Sequence, residues 1–195
     1  MVIIILPEWR YIIDKPIIKK INCLWKGRIG NAYQITPKDI CLIAVLAAIV
    51  FVMTVVPRVP IPLGYAHLGD AAIMLAAYYG GKKNGALASA LGSALSDFIG
   101  GYPIWIIPTL IIKYMMGRCA AVDAPFFSWR TALGFFLSAV WLVVGYTLAG
   151  AVLYGSLEAG LTSTPGLIAE AVVNMAAAFG VGALLEKVNF RKLIK

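Results

Sequence analysis

The stretch ICLIAVLAAIVFVMTVV, residues 40–56, holds no charged side chain in 17 consecutive positions. An α-helix of that length spans roughly 26 Å at 1.5 Å per residue, close to the hydrocarbon thickness of a bilayer. Thr36 and Pro37 stand immediately before it, where a cap and a first helical residue belong. Pro57, Pro60 and Pro62 follow it, stop the helix and predict an extended connection through PRVPIPLGYAHLGD, residues 57–70.

The rest of the chain has the same character. Its 195 residues are 61% hydrophobic and 13% charged, with a mean hydropathy of +0.86. A soluble domain is roughly 45–50% apolar and about 25% charged, so a water-soluble globule, a disordered tail and a soluble nucleotide-binding enzyme are excluded. Further apolar segments run over 71–80, 84–99, 103–116, 131–154 and 165–188. The expected architecture is an all-α integral membrane protein, a bundle of six transmembrane helices with both termini cytoplasmic. The segment at 71–80 is short for a span, so it must begin near His67 or form a re-entrant pair with the next one. In that next segment Gly85, Ser89, Gly92 and Ser96 form one stripe and Ala86, Ala90 and Ala94 another. Small residues let membrane helices approach closely, which predicts a central helix. Pro108 should kink the fourth segment or mark its true start, and Thr164–Pro165 should open the sixth.

The formal charge of +8 does not point to nucleic acid, because the basic residues lie between apolar runs. With the N-terminus inside, every Lys and Arg except Arg58 falls on the cytoplasmic side, Lys113 being counted with Arg118 and Arg130 on an inner loop. Residues 1–36 read as a basic arm on anionic headgroups and 37–195 as the membrane domain. Val2 to Leu6 is too short for a signal core, so the arm is expected to stay on the mature protein. Cys23, Cys41 and Cys119 form no CxxC pair and read as reduced thiols.

This topology sends polar groups to the outer half: Asp70 at the start of the second helix, Asp97 at the end of the third, and Glu170 with Asn174 one turn deeper in the sixth. Arg58, Tyr65 and His67 lie on the outer loop, with Tyr102 and Trp105 on the approach to the fourth helix. Ionisable groups in a membrane cost at least ~2.5 kcal/mol on insertion scales, which predicts an outward-opening solute pocket walled by aromatics. His67-Leu-Gly-Asp70 lacks the companions of a metal site. GGKKNG, residues 80–85, is not a phosphate loop, since Ala76 and Lys83 occupy positions that need Gly and Ser or Thr.

The run HLGDAAIMLAAYYGGKKNGALASALGSALSDFIGGYPIWIIPTLIIKYMMG, residues 67–117, resembles the substrate-binding (S) components of energy-coupling factor (ECF) vitamin transporters. The marks are HLGD at 67–70, the small-residue stretch ending at Asp97, GYP at 101–103 and PTLIIK with its following Met-Gly. The resemblance implies a capture subunit that is not itself an enzyme, needs no cofactor and sits in the plasma membrane. It also implies as partners a transmembrane coupling (T) subunit and two cytoplasmic ATPases, the first docked through small residues, here Ala44 and Ala48. The acidic lean of Asp70, Asp97 and Glu170 against Arg58 favours a neutral or cationic heterocycle as the vitamin or precursor. The competing readings are an intramembrane metal-dependent enzyme built on His67, Asp70 and Asp97, and a structural membrane subunit without ligand.

Overall fold

A computed structural model describes residues 35–56, 59–61 and 64–190, with side chains over 35–56 and 67–190. The basic arm expected over 1–36 therefore lies outside the described residues save for Ile35 and Thr36, as do Arg58 and the side chain of Tyr65.

Among the described residues there are five helices: α1 (Pro37–Val55), α2 (Gly69–Gly100), α3 (Ile106–Ala120), α4 (Trp129–Leu153) and α5 (Leu157–Lys187). A short antiparallel pair, β1 (Val59–Ile61) and β2 (Gly64–Ala66), joins α1 to α2, and Val59 faces Ala66 across it. The proline-rich connection is thus a hairpin rather than an open loop, because a strand edge tolerates proline where a helix does not. By length and composition α1, α4 and α5 can cross a membrane. The segments expected as the second and third helices are continuous in α2, but Gly81 breaks the helical path with φ 78° and ψ 176°. That conformation is open only to glycine, so two arms, 69–80 and 82–100, meet at a bend.

Two further expectations shift. The last helix starts at Leu157, eight residues before Pro165, with Ser156 Oγ accepting from the Ala159 amide at 3.2 Å. Pro165 then lies on an exposed face inside the helix. Thr162, Ser163 and Thr164 bond their hydroxyls to carbonyls three or four residues back, so the helix around the proline keeps local partners. In α3, a 3-10 turn at Pro103–Trp105 leads into the helix and Pro108 falls in its first turn, which marks the true start. Lys113 consequently sits mid-helix and buried rather than on an inner loop.

The small residues of the second α2 arm pack on three sides. A Cβ on Gly92 would meet Val50 of α1 at 3.0 Å, one on Gly85 would meet the Ala76 carbonyl at 2.6 Å, and one on Gly117 of α3 would meet Ala86 at 2.7 Å. The arm is therefore central, and its Leu91, Leu95 and Phe98 face outward with Val45, Ile49 and Val52 of α1. So many exposed aliphatic side chains suit acyl chains, not water.

The two ends of the bundle differ. At one, Asn84 Nδ2 donates to Asp39 Oδ1 at 2.7 Å, Tyr79 donates to Glu186 at 2.9 Å, and Tyr78 donates to the Ala124 carbonyl at 2.9 Å. These contacts gather the start of α1, the Gly81 bend, the α3–α4 loop and the end of α5. Among the described residues every Lys and Arg except Lys113 belongs to this end. A cluster of Tyr78, Phe126, Phe135 and Phe179 fills the bundle just above it. The hairpin, Asp70, Asp97 and the 3-10 turn lie at the opposite end.

Candidate functional site

At that opposite end, four buried polar side chains from three helices meet beside the hairpin. Asp70 is 0% exposed, Lys113 3%, Glu170 6% and Asn174 1%. Asp70 falls in the first turn of α2, where a carboxylate also meets the positive end of the helix dipole. Lys113 of α3 donates to Asp70 Oδ1, and its ammonium lies 5.1 Å from the centre of the Tyr146 ring of α4. The Tyr146 hydroxyl is 3.0 Å from Thr109 Oγ1, one turn before Lys113. The Glu170 carboxylate interacts electrostatically with both Asp70 and Lys113, and that of Asp97 with Tyr146.

Glu170 and Asn174, one turn apart on α5, bind the segment that follows the hairpin. The His67 amide donates to Glu170 Oε1 at 3.1 Å. Asn174 Oδ1 accepts from the Ala71 amide at 2.8 Å, while its Nδ2 donates to the His67 carbonyl at 2.7 Å and to the Glu170 carbonyl at 2.9 Å. Carbonyls only accept and amides only donate, so this pattern admits a single orientation of the side-chain amide. Asn174 is thus a brace that ties the mouth to α5, and its polar atoms are committed to that work.

Above the cluster an aromatic row climbs toward the end of the bundle. Trp105 lies 5.7 Å from Tyr146 and 6.2 Å from Tyr154, at tilts of 40° and 57°. Tyr102, just before the 3-10 turn, is 41% exposed. Gly150 leaves room beneath Trp105, whose ring would lie 3.7 Å from a Cβ there.

Of the residues expected at the site, His67, Asp70, Glu170 and Asn174 come together, while Asp97 is within electrostatic reach of Tyr146. Trp105 belongs to the aromatic row and Tyr102 stands at its rim. Lys113 and Tyr146 are functional candidates that the reading of the sequence missed. Thr109, Ile112, Lys113, Met116 and Ala120 share one buried helical stripe, and this spacing was the available signal for Lys113. Its ammonium also moderates the acidic lean expected from the three carboxylates.

His67, Asp70 and Glu170 can each bring one ligand atom within 4.8 Å of the others. A divalent metal is nevertheless a poor fit. His67 Nδ1 already accepts from the Gly69 amide at 3.1 Å, and Asp70 is compensated by the Lys113 ammonium.

A family model described as ECF-type riboflavin transporter, S component, matches residues 34–187. The chain belongs to this family of ECF transporter S components. The match spans all five helices, so the S component is a transport subunit and not an enzyme. It is also similar to a curated relative, the thiamine precursor transporter HmpT of Lactococcus lactis subsp. cremoris (strain MG1363). The two are 29% identical over 164 residues, covering 80% of this chain and 94% of the relative. S components of ECF transporters bind a small-molecule substrate and work with T and ATPase modules. The long apolar helices of this S component fit the membrane setting that such a role requires.

Proposed function

We propose that this S component captures a water-soluble vitamin or vitamin precursor, a neutral or cationic heterocycle, and hands it to an ATP-driven importer of the plasma membrane. The observation that carries the reading is the meeting of Asp70, Lys113, Glu170 and Tyr146 from four helices under a loop tied down by Asn174. Buried ionisable groups at the mouth of a helical bundle are expensive unless they serve a pathway or a ligand. The aromatic row through Trp105 supplies faces for a flat ring. The names of the matched family and relative, riboflavin and a thiamine precursor, both denote compounds built on nitrogen heterocycles.

In this reading the two arms of α2 are separate spans, giving six. The short arm reaches only ~18 Å, but Ala71 to Tyr78 is buried apart from Leu75, so protein and not lipid surrounds it. The basic end faces the cytoplasm with both termini. The hairpin and His67 act as a lid, while Asp97, Tyr102 and Trp105 line the way in. Ala44 and Ala48 are exposed on α1, on a face that α2 leaves free, and dock the T subunit, which works with two ATPases.

The test is calorimetric titration of the detergent-purified protein with riboflavin, thiamine, an aminopyrimidine bearing a hydroxymethyl group, and pyridoxine. Native mass spectrometry of whatever co-purifies runs beside it. Stoichiometric binding of one compound is expected. No binding in the panel and no co-purified heterocycle would refute capture.

A further inference from the structure

The capture reading leaves open what the mouth recognises, and one detail of the Asp70–Lys113 pair bears on it. Asp70 Oδ1 takes the Lys113 ammonium, whereas Oδ2 is buried without a hydrogen-bond partner among the described residues. A buried carboxylate oxygen left so is uncommon, because its lost hydration is not replaced. Lys113 carries three N–H donors, of which Asp70 engages one while the ring of Tyr146 lies 5.1 Å away. An acceptor and a donor therefore stand side by side in a dry setting, next to an aromatic face held by Thr109.

We propose that Asp70 Oδ2 and Lys113 Nζ read one edge of the captured ring, an N–H donor adjacent to a ring-nitrogen or carbonyl acceptor. Two sources of this edge fit: the amino group beside a ring nitrogen in an aminopyrimidine, and the imide N–H beside a carbonyl in a flavin. The pair has no net charge and so matches an uncharged edge. A carboxylate or phosphate at that position would meet the Asp70 carboxylate directly. Lys113 also acts as a positioning residue, since its bond to Oδ1 orients the carboxylate and leaves Oδ2 for the ring. This inference rests on the proposed function.

The test compares wild type with the double variant Asp70→Asn/Lys113→Met. Removing both charges together leaves no uncompensated ion, and size-exclusion chromatography with thermal melting verifies the fold. Each is titrated with the hydroxymethyl aminopyrimidine and its dimethylamino derivative, and with riboflavin and its imide-N-methyl derivative. In the arm that wild type binds, methylation should weaken binding at least about tenfold, the effect of leaving a buried acceptor unpaired. The double variant should bind the parent more weakly, and its preference should shrink to less than about threefold. Equal wild-type affinity for parent and methylated compound overturns the edge reading. So does a preference that survives in the double variant, because a purely steric penalty would persist there. Binding of pyridoxine alone also overturns it but leaves capture standing, whereas binding of nothing in the panel removes both.

Discussion

Replacing Asn174 by Leu should loosen the mouth of the S component without unfolding the bundle. The side-chain amide is 1% exposed and joins α5 to the Ala71 amide and the His67 carbonyl, at 2.8 and 2.7 Å. Leucine keeps the bulk and the helix propensity but leaves both backbone groups unpaired. Each buried polar group stranded in this way costs about 1–3 kcal/mol, so the closed arrangement should lose roughly 2–6 kcal/mol. The groups recover water only if the segment 67–71 lifts away from α5. For a mouth whose open and closed forms are near balance, apparent Kd rises by the inverse of the closed fraction. The lower figure then corresponds to about fifteenfold weaker binding. Calorimetry on detergent-purified protein, alongside a melting curve, provides the readout. A variant that binds within about threefold of wild type and melts at the same temperature would show that the Asn174 brace does not govern the site.

Other perturbations probe different parts of the molecule. Glu170→Ala and Asp97→Ala should each weaken solute binding while the protein still inserts and folds, and unchanged affinity in both would remove these carboxylates from the pocket. Ala44→Trp or Ala48→Trp should abolish uptake in cells yet spare binding by the isolated subunit; uptake at the wild-type rate would sink the docking role of α1. Gly92→Leu forces side-chain atoms into Val50 and the Ala47 carbonyl. A cost of about 1–3 kcal/mol or more should appear as a lower melting temperature, and an unchanged one would refute the close α1–α2 contact.

How far the sequence disclosed this molecule depended on whether a signal was local. Ile40 to Val56 carries no charge and is helical through Val55, because a long apolar run has no other stable form in lipid. Gly85 and Gly92 disclosed a central helix since their spacing follows the helical period. Pro165 misled, because the hydroxyls that tolerate it act through geometry that a cap signal does not capture. Lys113 misled in the same manner: a lysine near a helix end reads as a loop cation until its partner, 43 residues earlier in the chain, is known. Asp70, Glu170 and Asn174 stood out as polar groups in apolar surroundings. Their different partners, an ammonium for Asp70 and backbone groups for Asn174, emerge only from the folded chain.

The latch on the mouth has a consequence for biosynthesis. His67 is held by Glu170 and Asn174, which lie 103 and 107 residues further along the chain. A ribosome delivers the keeper long after the bolt, so a nascent chain with α1 to α4 already made still lacks the groups that hold His67. Premature stop codons anywhere before α5 would yield polypeptides that cannot fasten His67, however well their first helices assemble. Fastening of His67 thus certifies that α5 has been made.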